Sequence, residues 1–189
     1  MTLSMSEKTH KQDRRHLVWI DLEMTGLDPE KERIIEIATV ITDGDLHIVA
    51  EGPNLVIHQS ERILKKMDAW NQKQHARSGL IEQVRASQVK MRRAEKETLA
   101  FIKEYCPPKT SPLCGNSVHH DRRFLIRYMP RLNDYLHYRN IDVSTVKALV
   151  QRWYPKVKDE PKKKDAHLAL KDVKESIEEL KFLRQTFFK

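Results

Sequence analysis

The chain has 189 residues, with 35 Lys and Arg against 27 Asp and Glu and a formal net charge of +8. A length of this order buries roughly 70% of the unfolded surface around one core, which excludes a disulfide-stapled miniprotein. With 39% hydrophobic residues, 5 Gly and 8 Pro the sequence is built to fold rather than to stay disordered, and no run approaches the roughly 18 apolar residues of a membrane span. Two cysteines, Cys106 and Cys114, are too few for a secreted disulfide framework and fit a reducing, cytoplasmic setting. The basic balance points to a polyanionic partner.

Met1 to Arg15 is polar and aperiodic and reads as a flexible N-terminal extension, leaving residues 16–189 as a single domain. His16 to Glu23, Ile34 to Thr42 and Leu55 to His58 read as three strands of an antiparallel meander, punctuated by Thr25-Gly26-Leu27-Asp28-Pro29 and Asp43-Gly44-Asp45. From Ser60 the spacing turns helical. Ile63, Met67 and Trp70 form one stripe, and Leu99, Ile102 and Cys106 another, which ends at Pro107-Pro108. Leu113 to Asn116 predicts a buried strand, Asp121 to Tyr128 a helix, Ile141 to Val143 a strand, and Ser144 to Trp153 a helix capped by Ser144 or Thr145. Pro155 to Asp165 is a Lys-rich loop. The last helix, about Ala166 to Phe187, carries Leu170, Val173, Ile177, Leu180 and Phe187 on its apolar stripe. Strands first, then helices with strands interspersed, predict an α/β domain with a mixed central sheet flanked by helices.

Four acids stand out against this frame. Asp21 and Glu23, two apart at the end of an apolar strand, share the face of Leu17 and Trp19, where like charges repel unless a cation or proton intervenes. Divalent cations prefer oxygen ligands and answer that need, although an isolated Asp-x-Glu more often ends a strand in solvent. Asp172 borders the apolar stripe of the last helix, where it can reach the sheet. His167, five residues earlier, lies about 140° away on a regular helix and converges with Asp172 only from the loop or first turn ahead of it. A histidine there could take a proton from water at neutral pH, the alternative being a surface or capping histidine. Asp121 projects from the first turns of the helix after Gly115-Asn116, and on spacing alone reads as a surface acid paired with Arg122 or Arg123. Cys-x7-Cys-x4-His-His, ending in His119-His120, lacks the short paired spacing of structural zinc sites.

In order, the stretches Ile20-Asp21-Leu22-Glu23-Met24-Thr25-Gly26-Leu27-Asp28, Gly115-Asn116-Ser117 to Asp121-Arg122-Arg123-Phe124-Leu125, and His167-Leu168-Ala169-Leu170-Lys171-Asp172 with Glu175-Ser176 resemble the exonuclease motifs of the DEDDh family. The resemblance runs from about His16 to Phe188 and extends to Met67-Asp68-Ala69-Trp70-Asn71, to His75, and to His137-Tyr138-Arg139 with Asp142-Val143-Ser144-Thr145. His120 stands where the family commonly has Gln, and Lys171 where an acid often precedes the last one.

The resemblance implies a ribonuclease H-like fold and a metal-dependent 3′→5′ exoribonuclease acting on short oligoribonucleotides, chiefly diribonucleotides, to give 5′-mononucleotides. It implies that Asp21, Glu23, Asp121 and Asp172 hold two Mg²⁺ or Mn²⁺ ions, with His167 as general base. It implies that Leu27 wedges between bases, that Trp70 and His75 line the base and cleft region, and that Ser117, Arg139, Ser144 and Thr145 cap a 5′ phosphate. It also implies a homodimer in which Tyr138 reaches the partner's site. A DEDDh exonuclease acting on longer single-stranded RNA or DNA is the alternative, and a silent nucleic-acid-binding module has no use for acids clustered near phosphate.

Overall fold

The computed structural model describes residues 11–155 and 168–188. β1 (Leu17–Met24), β2 (Ile34–Thr42) and β3 (Ile48–Val56) form the antiparallel meander, and β4 (Leu113–Gly115) and β5 (Asn140–Asp142) extend it in parallel on the other side of β1. The sheet order is β3-β2-β1-β4-β5. Between β3 and β4 come α1 (Glu61–Leu64), α2 (Ala69–Arg77), α3 (Leu80–Ala86) and α4 (Met91–Tyr105). α5 (His119–Tyr128) and α6 (Pro130–Tyr135) separate β4 from β5, and α7 (Val143–Trp153) and α8 (Ala169–Phe187) follow.

β2 is buried along its whole length, as a run of Ile, Val and Thr covered on both faces requires. β1 divides its side chains by the period of two. Val18, Ile20 and Leu22 join a cluster with Ile102, Phe124 and Leu132 from α4, α5 and α6. Trp19 faces the other way, into a cluster with Val143 and Val150 of α7 and Ala169, Val173 and Ile177 of α8. Its indole Nε1 donates to Thr42 Oγ1 at 3.0 Å, which satisfies the one polar atom of a fully buried ring. Cys106 and Cys114 are buried and free. Among the described residues no helix is long and apolar enough to cross a membrane.

The chain departs from the sequence reading in five places. β3 begins at Ile48, ahead of the predicted Leu55, because an edge strand with solvated residues and Gly52-Pro53 carries little apolar signal. The stripe Ile63, Met67 and Trp70 is broken by Asp68, whose carboxylate accepts the N–H of Asn71 at 2.8 Å and starts α2 afresh. Met67 is therefore buried while Trp70 is 62% exposed. The cap of α7 is Asp142, not Ser144 or Thr145, since Asp142 Oδ1 accepts the N–H of Ser144 at 3.0 Å. α3 and α6, too short to show periodicity, fall where the sequence predicted no element. Residues 11–15 lie along the end of α4, with Asp13 N–H donating to Tyr105 O at 3.0 Å. Residues 1–10 and most of the Lys-rich loop lie outside the described residues, as do Ala166 and His167 of the predicted last helix, which is described from Ala169 with Leu168 at its N-cap.

β4 approaches β1 so closely that a Cβ on Gly115 would sit 3.2 Å from the Ile20 carbonyl oxygen. Gly115→Ala is expected to cost about 1–3 kcal/mol through overpacking against backbone, seen as a melting temperature lower by several degrees. An unchanged melt would show that the two strands separate freely.

Candidate active site

Ligand sites in open α/β sheets gather at the carboxyl ends of the parallel strands. Here β1 ends in Asp21 and Glu23, β4 leads into Asn116 and Ser117, and β5 leads into Asp142 and Ser144. Asp21 and Glu23 share the face of Trp19 that α8 covers, and α8 brings Asp172 in its first turn. Carboxylate oxygens of Asp21, Glu23 and Asp172 all lie within 4.8 Å of one another, the one such group of three or more candidate ligands among the described residues. Asp121, on α5, reaches the strand from the other side, and its Oδ1 accepts the N–H of Leu22 at 2.9 Å.

The electrostatics are those of anions forced together. Burial, followed by the charges of Asp172, Glu36 and Asp121, pushes the Glu23 carboxyl up to about 8. Burial also raises Asp121, against the lowering effect of its backbone hydrogen bonds. Three oxygen ligands at this spacing, one of them holding a proton near neutrality, suit a hard divalent cation. Arg122 does not neutralise Asp121. Its guanidinium turns to Asn133, Asn140 and the carbonyl of His137, tying α5 to the segment that carries Tyr138.

Of two further residues near the acids, only Glu36 was not read from the sequence. Glu36 is opposite Glu23 in the β1–β2 register, is 2% exposed, and accepts the N–H of Ala169 at the start of α8 at 3.4 Å. The available signal was a lone acid within the otherwise apolar Ile34–Thr42. His75 is buried, with Nε2 donating to Met24 O at 3.0 Å and Nδ1 3.9 Å from Glu23 Oε2. It thus lies behind Glu23.

Leu27 is 57% exposed at the tip of the turn after β1. Thr25 and Arg33 close that turn, with Thr25 N–H donating to Arg33 O and Arg33 N–H to Thr25 Oγ1, both at 2.9 Å. The Tyr128 hydroxyl lies 2.7 Å from Pro29 O and 2.8 Å from Glu32 O and accepts from Arg33 Nη1 at 2.7 Å. Ser117 adopts φ 51°, a left-handed conformation uncommon outside glycine, and its N–H donates to Asp142 Oδ1 at 2.9 Å and Ser144 Oγ at 2.8 Å. Thr145 is exposed beside them. Tyr138, 77% exposed, stacks on His137, with the Arg139 guanidinium 5.6 Å from its ring centre and Arg139 Nε donating to its hydroxyl at 3.2 Å. His167 lies outside the described residues.

The exonuclease family RNase_T matches residues 18–180. An oligoribonuclease of Haemophilus influenzae is 56% identical over 177 residues, 94% of this chain and 97% of its own, and one of Shewanella loihica is 58% identical over 94% and 98%. The chain belongs to the oligoribonuclease family of exonucleases. As a member it is an exoribonuclease. Exonuclease I of Methylocaldum szegediense shares the fold at TM-score 0.68 and 17% identity, covering 92% of this chain and 41% of that one. An E. coli Exonuclease I bound to an oligonucleotide does so at TM-score 0.70 and 16% identity, over 93% and 42%. The mixed sheet with flanking helices is the ribonuclease H-like arrangement expected of such enzymes.

The raised Glu23 pKa carries a prediction. A carboxyl whose folded pKa exceeds its unfolded one stabilises the metal-free fold at low pH, and that stabilisation is lost as pH rises through about 8. A divalent cation takes the place of the lost proton. Millimolar Mn²⁺ is therefore expected to raise the melting temperature, relative to EDTA, by more at about pH 8.5 than at about pH 6. An absent rise at both pH values would remove Asp21, Glu23 and Asp172 as cation ligands, and an equal rise would show that Glu23 holds no proton at about pH 6.

Proposed function

We propose that this exoribonuclease degrades short oligoribonucleotides, chiefly diribonucleotides, from the 3′ end to 5′-mononucleotides. The observation that carries this reading is the convergence of Asp21, Glu23 and Asp172 within 4.8 Å in a chain 56% identical to an oligoribonuclease. In this reading Asp21, Glu23, Asp121 and Asp172 hold two divalent ions, Mg²⁺ or Mn²⁺. The chemistry such ions supply is a more acidic attacking water and stabilised charge on the leaving 3′ oxygen.

The remaining work falls to the chain's own residues. His167, immediately before Leu168 and the start of α8, takes the proton of the attacking water. Trp70 and Leu27 present apolar surface to the bases, which accounts for their exposure. His75 acts at the cleft through Glu23 and Met24. Ser117, Arg139, Ser144 and Thr145 bind the terminal 5′ phosphate through the Arg139 guanidinium and the three hydroxyls, since the N–H groups of Ser117 and Ser144 already donate to Asp142 Oδ1. Tyr138, presented outward, serves the partner's site in a homodimer. The buried thiols and the absence of a membrane-crossing helix among the described residues accord with a cytoplasmic enzyme.

A labelled diribonucleotide and a long single-stranded RNA, each with Mn²⁺ or EDTA, test the reading. Rapid Mn²⁺-dependent cleavage of the dinucleotide is expected, with the long strand spared. Trimming of the long strand that leaves dinucleotides behind would instead establish an exonuclease for longer substrates. Trp70→Ala is expected to lower kcat/KM by roughly 5- to 150-fold, the worth of one stacked base, with the melting temperature unchanged because the side chain is exposed.

A further inference from the structure

Asn116 touches both the phosphate-binding serines and the acid-bearing helix. Its Nδ2 donates to Ser176 Oγ at 2.8 Å and to Glu179 Oε2 at 3.0 Å, both on α8, while its Oδ1 accepts from Ser144 Oγ at 3.0 Å. Glu179 can only accept, so the amide orientation is fixed by chemistry. Lys147 of α7 lies 2.9 Å from the other Glu179 oxygen and balances its charge. Ser176 and Glu179 are 3% and 4% exposed, so the α8 end of the network is buried, while Asn116, Ser117 and Ser144 are half-buried and open it to a ligand.

The hydroxyl protons of this network all run one way. Ser176 Oγ donates to the carbonyl of Asp172 at 2.8 Å, which leaves its lone pairs for Asn116. Ser144 gives its single proton to Asn116 and accepts from the N–H of Ser117 at 2.8 Å, so the Ser117 hydroxyl, 3.1 Å away, is the donor in that pair. The chain of donation thus passes from Ser117 through Ser144, Asn116 and Ser176 to the backbone of Asp172. An anion at the serines needs those same protons. When Ser144 turns its proton outward, Asn116 Oδ1 loses its donor, and the change is felt on the turn of α8 that carries Asp172.

We propose that Asn116 is a positioning residue that couples 5′-phosphate binding at Ser117 and Ser144 to the acid-bearing turn of α8, so that a 5′ phosphate on the substrate changes kcat and not only KM. The inference rests on the phosphate-binding role proposed above for these serines. It makes the 5′ phosphate a signal of correct length as well as a handle.

The test compares a 5′-phosphorylated diribonucleotide with the same compound bearing a 5′ hydroxyl, in the full-length enzyme with Mn²⁺. The 5′ phosphate is expected to raise kcat by about 5- to 150-fold, the span of ordinary intersite coupling, and to lower KM. In Asn116→Ala and in Ser176→Ala the kcat effect should fall towards one. Ser176→Ala leaves the Asn116–Ser144 contact intact. Calorimetry in EDTA, where binding is read without cleavage, should therefore show it holding the phosphorylated dinucleotide within about twofold of the parent. If Asn116→Ala fails to fold, Ser176→Ala decides alone. Phosphate-dependent kcat that persists in the folded variants overturns the coupling and leaves the phosphate site standing. A parent enzyme indifferent to the 5′ phosphate in both kcat and KM overturns the phosphate site and the coupling with it.

Discussion

Repulsion between buried carboxylates is the constraint around which this molecule is arranged. Glu23 feels Asp172, Glu36 and Asp121 at once while burial removes the water that would screen them. Left to itself such a group would splay apart or take up protons. The fold prevents the first by mounting the acids on four rigid elements. Asp21 and Glu23 ride on the central strand β1, Glu36 on fully buried β2, Asp121 on α5 and Asp172 on α8. Backbone donors then absorb part of the charge, the N–H of Leu22 for Asp121 and the N–H of Ala169 for Glu36. Stability bound up in the apolar clusters on both faces of the sheet thus holds open a site that favours a cation.

Much of this was legible in the sequence where the physics is local. Ile34–Thr42 is a strand to the residue because seven of its nine positions are Ile, Val or Thr, which admits little else. The period of two put Asp21 and Glu23 on one face before any coordinate was known, and the sheet keeps Trp19 on that face. The reading failed where a single polar contact overrules a periodic pattern. Asp68 restarts a helix and turns Trp70 outward, and Asp142 captures the start of α7 ahead of Ser144. Glu36 and Asn116 were passed over for a different reason. Their partners lie across a strand pair or on a helix 60 residues away, and linear spacing carries no trace of such pairings.

The parallel half of the sheet explains why the acids and the hydroxyls of Ser117 and Ser144 lie in one small region. β1, β4 and β5 run in the same direction, so their carboxyl ends open onto one rim. The group of three acids occupies the β1 corner, while the N–H groups of Ser117 and Ser144 close onto the Asp142 carboxylate where β4 and β5 give way to helices. The left-handed Ser117 sits at the junction, its strain offset by the two hydrogen bonds that its own N–H donates.

The turn that carries Leu27 is held at its base by the Tyr128 hydroxyl and by the mutual hydrogen bonds of Thr25 and Arg33. An apolar tip on so braced a support has already paid for its order during folding. A ligand that meets Leu27 gains the contact without freezing a loop, which favours fast, reversible capture of molecules too small to offer much other surface.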